Sequence, residues 1–280
     1  MNMQDLTPLA EGRLSLVYKM KDGRVLKLLH KTVPGPKVDD EFRRCQIISK
    51  AGVPSPKALE IVEVEGHRGI IFEWAGDLDL MKAKLGNPLN LNSGADFMST
   101  VHQDILKREA PELPELKTEA VRLSRLLPEG TIQPGQFEVL QRYIDALPSS
   151  NTICHMDFQP GNIMLTRAGY KGGYQVIDWS EAVRGAPAAD IAISCLMMSM
   201  AETSPGTSFL QNVIISVFRK AFKKRYRLDV TSRLGITAEN LEDWMLLAGI
   251  FRLATWNIDY EKKFLVELIQ GKLKELESKA

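Results

Sequence analysis

The stretch of this chain richest in chemistry is His155-Met156-Asp157-Phe158-Gln159-Pro160-Gly161-Asn162, followed by Val176-Ile177-Asp178-Trp179. An aspartate stands five residues before an asparagine, and a second aspartate closes the next β-forming run. Phosphoryl transfer from ATP needs parts of this kind. One carboxylate must accept or orient the proton of an attacking hydroxyl. Hard oxygen ligands must hold Mg²⁺ against the phosphates. A carboxylate and an amide from adjacent strand ends can do so while leaving metal positions open for phosphate and water. On this reading Asp157 is the catalytic base, Asn162 and Asp178 are the metal ligands, and His155 braces the loop through hydrogen bonds.

Such residues must be positioned by elements that the rest of the chain supplies. Leu14, Leu16 and Tyr18 alternate with Ser15, Val17 and Lys19, Asp22-Gly23 supplies a hairpin turn, and residues 24–29 return as a second strand. Residues 33–36 are a breaker-rich loop. Phe42, Cys45 and Ile48 suit a helix over 39–50, capped by Asp39 or Asp40 and ended by Gly52. Strands follow at 58–64 and 69–74 around a Glu65-Gly66 turn, so the order is hairpin, helix, hairpin. Beyond Gly76 the periodicity becomes mostly helical. Helices are expected around Phe97, Val101 and Ile105, and over 136–147, where Pro148 stops the run. Short strands are expected at 152–154, 162–165 and 174–177, with Gly172 and Gly173 turning the hairpin. The last hundred or so residues read as helices at 191–201, 209–226, 238–256 and 259–276. The natural division falls near 74–77, giving an N-terminal nucleotide-binding lobe over 1–75 and a C-terminal catalytic and acceptor-binding lobe over 76–280.

Composition excludes several classes. The chain has 280 residues, enough to bury a large core, and its hydrophobic content of 44% and charged content of 25% are ordinary for a folded protein. The 36 basic and 35 acidic residues nearly cancel, so the footprint of a nucleic-acid binder is absent. The basic run Lys220, Lys223, Lys224 and Arg225 reads as a solvated helix face. Cys45, Cys154 and Cys195 are odd in number and widely spaced, which makes neither a metal-ligand pattern nor a disulfide framework. Reduced thiols, no apolar signal core and no run long enough to cross a bilayer lead to the expectation of a cytoplasmic protein with no membrane partner.

The run HMDFQPGNIM with IDW resembles the catalytic and metal-binding loops of the aminoglycoside phosphotransferase and choline kinase-like family. The resemblance spans about residues 9–195 and implies an α+β, bilobal protein-kinase-like fold. The small N-terminal lobe would be an antiparallel sheet with one helix, and the larger C-terminal lobe mostly helical. Protein kinases carry a related H-R-D-x-x-x-x-N loop and a D-F-G metal site. Asp178-Trp179 stands in place of the latter, which favours a small-molecule kinase. The resemblance further implies that Lys27, in Val25-Leu26-Lys27, binds the α- and β-phosphates of ATP and that Glu41 pairs with it. Ala10 to Ser15 resembles the phosphate-covering turn, with Gly12 allowing close backbone approach and Ser15 a hydroxyl donor. Residues 71–75 resemble the hinge, where Glu73 and Ala75 would meet adenine through backbone C=O and N–H. Asp190 matches a position that caps a helix or braces the catalytic loop, and His102 a packing histidine. The chain departs from the family pattern at Met156, where glycine is common, and at Gln159.

The acceptor is expected to be a small molecule with a hydroxyl group, such as an aminoglycoside, an amino alcohol or a sugar-like compound, and cationic acceptors would suit carboxylates of the C-terminal half. Glu181, Glu202, Glu242, Asp243, Asp259 and Glu261 are the acidic candidates there, and Trp179, Trp244 and Trp256 the aromatic ones. Solvated helix carboxylates and core tryptophans are the plainer reading of both sets. Two other functions remain open from sequence. One is a nucleotide-binding pseudokinase serving as a regulatory module, against which the full residue set argues. The other is a protein Ser/Thr kinase, against which the missing D-F-G and A-P-E segments argue.

Overall fold

The alternation over residues 14–29 and the Asp22-Gly23 turn produce the expected hairpin in a computed structural model of the protein. The structure describes residues 6–85, 87–166, 173–200 and 209–278. In chain order the strands are β1 (Thr7–Glu11), β2 (Ser15–Lys19), β3 (Val25–Leu29), β4 (Ala58–Val64), β5 (His67–Phe72), β6 (Leu78–Asp79), β7 (Ile153–Cys154), β8 (Ile163–Leu165), β9 (Tyr174–Val176) and β10 (Val183–Arg184). The α-helices are α1 (Pro36–Lys50), α2 (Leu91–Ile105), α3 (Leu116–Ser124), α4 (Gln136–Ala146), α5 (Pro187–Met200), α6 (Phe209–Leu234), α7 (Ala238–Glu242), α8 (Met245–Trp256) and α9 (Asp259–Glu277). Contacts divide the chain into two compact units, Met1–Ala83 with Pro160–Glu181 and Lys84–Gln159 with Ala182–Ala280. The β8–β9 hairpin therefore groups with the early strands, because β8 pairs with β6.

In the first unit five antiparallel strands lie in the order β1-β2-β3-β5-β4. Alternate residues of a strand face opposite ways. Leu26 and Leu28 of β3 form one core with Val64 and Ile71, while Lys27 faces away from it toward α1. Each such buried leucine contributes roughly 2 kcal/mol of transfer free energy. The Glu65-Gly66 turn has φ of +50° and +77°, the left-handed pair that a two-residue hairpin requires. The first helix starts earlier than its acidic residues suggest. Pro36 occupies its first turn, where a missing N–H costs nothing, and no side chain caps it. Asp39 instead binds the Arg68 guanidinium at 2.8 and 3.0 Å. Gly52 ends the helix at φ +73°. Strand β1, which the periodicity does not reveal, is exposed along its whole length.

Gly69 lies in the β3–β5 ladder that carries Lys27. A Cβ there would meet the Lys27 carbonyl oxygen at 2.3 Å and Leu28 Cα at 2.9 Å. Backbone atoms cannot step aside without opening the ladder. Gly69→Ala is therefore expected to cost about 1–3 kcal/mol or more of stability, read from the urea midpoint. An unchanged midpoint would contradict this packing.

The second unit is largely helical, with the short pair β7–β10. Alpha-helices α5, α8 and α9 form its center, where Ile191, Leu247, Ile250, Leu265 and Ile269 are buried. The single helix expected over 238–256 is two helices. Thr237 and Asn240 make a reciprocal capping box at the start of α7. The chain then breaks at Asp243-Trp244, where the Tyr143 hydroxyl donates to the Asp243 carbonyl and Trp244 enters the core. Alpha-helix α3 is a further element that the periodicity does not reveal. Among the described residues no helix is long and apolar enough to cross a membrane. Gly173 turns back toward β9 with φ +109°, while Gly172, Ala201 and Glu202 lie outside the described residues.

Candidate active site

Lys27, Glu41 and Asp178 meet in the first unit. Lys27 Nζ donates to Glu41 Oε1 at 2.7 Å and to Asp178 Oδ1 at 2.8 Å. Burial works against a charged Lys27, but Asp178 and Glu41 outweigh it and hold the pKa well above the ordinary lysine value. Burial pushes the Glu41 carboxyl above its usual range, with Lys27 pulling the other way. A shared ammonium is the physical reason the two acids sit together. Side-chain exposure is 5% for Glu41 but 30% for Asp178, so Asp178 is the member open to a further ligand.

The hairpin β8–β9 brings Asn162 and Asp178 to one end. Ile163 pairs with Val176, and the Ile177 N–H donates to the Asn162 carbonyl at 3.0 Å. Val176 N–H donates to the Pro54 carbonyl at 2.8 Å, tying β9 to the loop after α1. Asp178 itself has φ +66°, a left-handed conformation that aspartate tolerates better than most residues. Trp179 is 2% exposed and its indole N–H donates to the Val176 carbonyl at 2.9 Å. A carboxylate and an amide oxygen are hard donors suited to Mg²⁺. Among the described residues no group of three or more His, Cys, Asp or Glu could hold a metal.

The remaining nucleotide candidates lie in the same unit. Ser15 opposes Leu29, and Val17 opposes Lys27, so Ser15 shares the sheet face that carries Lys27. Ser15 is buried, and its carbonyl accepts from the Gly12 N–H at 2.8 Å, closing the turn between β1 and β2. A Cβ on Gly12 would make only ordinary contacts with Ser15, at 3.6 and 3.7 Å. Glu73 and Ala75 follow β5. The Glu73 N–H donates to the Lys57 carbonyl at 3.0 Å, and its carboxylate faces Lys57. Trp74, between them, carries the Lys19 ammonium over its ring at 4.1 Å.

Asp157 lies in the second unit, on the loop after β7. Its N–H donates to His155 Nδ1 at 3.2 Å, so His155 does brace the loop. Met156 has φ +63° and is 2% exposed. Glycine would hold that conformation without strain, and here a buried side chain offsets the cost. Asp190, in the first turn of α5, accepts the His155 N–H at 2.6 Å and the Met156 N–H at 2.8 Å. Its Oδ2 also accepts from His102 Nε2 at 3.0 Å, and His102 Nδ1 is 2.5 Å from the Tyr226 hydroxyl of α6. His102 is fully buried and stacks on Phe158, as a packing histidine should.

Burial alone would raise the Asp190 pKa, but His102 and His155 outweigh it and hold it below the ordinary carboxylate value. A lowered folded-state value contributes stability above the unfolded-state pKa, and that contribution is lost as the pH falls through the folded value. The urea midpoint of the wild type is therefore expected to fall more steeply in acid than that of Asp190→Asn. At neutral pH Asp190→Asn should already be less stable, because a buried acceptor of several donors is weakened. Parallel acid curves would contradict the assignment.

Periodicity and motif reading overlook one residue beside Asp157. Arg252 of α8 binds Glu261 of α9 twice, Nε to Oε2 at 2.7 Å and Nη2 to Oε1 at 2.8 Å, and its Nη1 lies 4.0 Å from Asp157 Oδ1. A lone arginine in the apolar run from Met245 to Trp256 was the available signal. Glu261 is thereby committed to Arg252, Glu242 pairs with Lys272, and the Asp259 carboxylate is fully exposed. Trp179 and Trp244 are 2% exposed, leaving Trp256, 5.8 Å from the Arg252 guanidinium, as the only partly exposed tryptophan of the three. The three cysteines are free thiols, Cys195 being pushed up to about 12 by burial.

A profile of the phosphotransferase enzyme family (APH) matches residues 5–227. No curated protein sequence matches the chain. Solved structures share its fold at low identity. A putative fructosamine-3-kinase from Haemophilus somnus is 12% identical with a TM-score of 0.60, over 97% of this chain and 90% of that one. The aminoglycoside phosphotransferase APH(3'')-Id from Streptomyces rimosus, in complex with ADP and streptomycin, is 17% identical with a TM-score of 0.53, over 90% and 92%. A choline/ethanolamine kinase family protein from Mesorhizobium loti is 17% identical with a TM-score of 0.51, over 97% and 87%. At these identities the likeness carries the fold, a protein-kinase-like one with a small antiparallel sheet and a larger helical part.

Proposed function

We propose, from the premise that the chain belongs to the phosphotransferase enzyme family, that it transfers the γ-phosphoryl group of ATP to a hydroxyl of a small molecule. The observation that supports this most is the Lys27 ammonium held by Glu41 at 2.7 Å and by Asp178 at 2.8 Å. An isolated lysine on a strand needs no such arrangement, whereas a lysine that must meet phosphate oxygens needs its position fixed. The ADP in the Streptomyces rimosus aminoglycoside phosphotransferase structure favours ATP as the donor.

In this reading Lys27 binds the α- and β-phosphates and Glu41 orients it. Gly12 and Ser15 cover the phosphates, and the Glu73 carbonyl and Ala75 N–H meet adenine. Asn162 and Asp178 would hold Mg²⁺, whose charge offsets that of the phosphates. Asp157 accepts the proton of the acceptor hydroxyl as its oxygen attacks the γ-phosphorus. The bond from that phosphorus to the bridging oxygen breaks, and ADP leaves with the electron pair. His155 and Asp190 keep the loop in place, and the reaction belongs to a protein working in the cytoplasm.

The acceptor is a hydroxyl compound of the amino-alcohol, aminoglycoside or sugar class. Glu242 and Glu261 already have cationic partners, so a charged acceptor would have to draw on other groups. Turnover of Mg-ATP across a panel of amino alcohols, aminoglycosides and sugars tests the proposal. One or more acceptors should raise turnover well above the rate with water. Mg-ATP that shifts the melting temperature while no acceptor raises turnover would favour a nucleotide-binding regulatory module instead.

A further inference from the structure

Arg252 has no part in the reaction as proposed, yet its guanidinium is closely constrained. Its side chain is 12% exposed, and the Glu261 carboxylate that grips Nε and Nη2 is 1% exposed. Two parallel charge-assisted bonds fix the plane of the guanidinium as a single contact would not. Trp256, four residues on in α8, lies beside it. The third nitrogen, Nη1, stands 4.0 Å from Asp157 Oδ1. That is beyond hydrogen-bond distance yet close enough for strong electrostatic attraction.

The separation is the informative feature. An arginine free to move beside a buried carboxylate would close to form direct bonds with it. Glu261 holds two of the three nitrogens on the other side. A cation so placed favours the ionised carboxylate without itself taking a hydrogen bond from it.

We propose that Arg252 is a positioning residue for Asp157, and that Glu261 acts as a spacer holding its guanidinium near the carboxylate but out of direct contact. The functional importance of this arrangement rests on the reading of Asp157 as the base, while the arrangement itself does not. Other titratable and polar groups facing the pair include His155, through the Asp157 N–H, and Asp190, through the loop backbone. Gln159 Nε2 donates to Asp157 Oδ2 at 3.4 Å.

Two variants should move Asp157 in opposite directions. Glu261→Gln removes the charge that restrains Arg252, so the guanidinium closes on Asp157 and the carboxylate titrates at lower pH. The double variant Arg252→Met with Glu261→Met replaces a buried ion pair by apolar side chains, an exchange that folds usually tolerate. It removes the cation, so Asp157 titrates at higher pH, by about one unit or more. Full-length protein labelled with ¹³Cγ-aspartate reports this by NMR, the Asp157 signal being identified by its loss in Asp157→Asn. Opposite shifts support the proposal. Shifts of one sign, or none in the double variant, overturn it.

The acid limb of kcat/KM for an accepted substrate should follow the same two shifts. Opposite NMR shifts in a protein that phosphorylates no acceptor would sink the proposed reaction and leave the spacer standing. Turnover with an unmoved Asp157 titration would do the reverse.

Discussion

Asp157→Asn is expected to lower acceptor-dependent transfer by about 10²–10⁴-fold, the usual contribution of a general base. The substitution keeps the shape of the side chain and removes its ability to take a proton. The loop should survive it, because the Asp157 N–H still donates to His155 and Asp190 still accepts the two preceding amides. Nucleotide affinity should be nearly unchanged, since the phosphate-binding role is assigned to Lys27, Asn162 and Asp178. Transfer rates with single turnovers, together with Mg-ATP titrations, separate the two effects. A variant that loses nucleotide binding along with transfer would show that Asp157 has been given the wrong role.

The second large effect is expected at Asp178. Asp178→Ala removes a metal-binding oxygen and one of the two carboxylates on Lys27, leaving the ammonium to Glu41 alone. Mg-ATP affinity should fall at least about tenfold, equivalent to roughly 1.4 kcal/mol, and the dependence on Mg²⁺ should weaken. Alanine at φ +66° also carries a backbone cost of about 1–2 kcal/mol. Asp178→Asn separates the two causes, because asparagine tolerates the left-handed conformation and lacks the charge. If Asp178→Asn binds Mg-ATP like the wild type with an unaltered Mg²⁺ titration, the metal assignment is wrong.

Much of the first unit was legible because its residues obey short periods. The alternation around Lys27 and the Glu65-Gly66 turn mark β2 to β5, whereas the pairing of Glu41 with Lys27 is implied by the family resemblance alone. Where local signals compete, an element's bounds are not marked by periodicity. Two aspartates at 39 and 40 look like a cap, whereas Pro36 marks the real start and Asp39 serves Arg68. Edge strand β1 has no buried side, so no alternation marks it. The 238–256 run is apolar almost throughout, and periodicity cannot show that Asp243-Trp244 breaks it.

The candidate site divides in the same way. Motif spacing picked out Asp157, Asn162 and Asp178 because those residues are close in sequence. Lys27 was legible only through family resemblance, since a single strand lysine has no pattern of its own. Arg252 and Glu261 carry no pairing signal in the sequence, because their nine-residue separation spans a helix end and a turn. Glu261 reads from the sequence as a carboxylate that could meet a cationic acceptor. It meets one from its own chain.

On the proposed reaction this protein makes a phosphate monoester from ATP and a small hydroxyl compound. Phosphorus NMR of the protein with ATP, Mg²⁺ and the acceptor panel tests it most directly. A new monoester resonance should grow in step with ADP. ATP that stays intact with every acceptor, or ADP that appears only with inorganic phosphate, would contradict it.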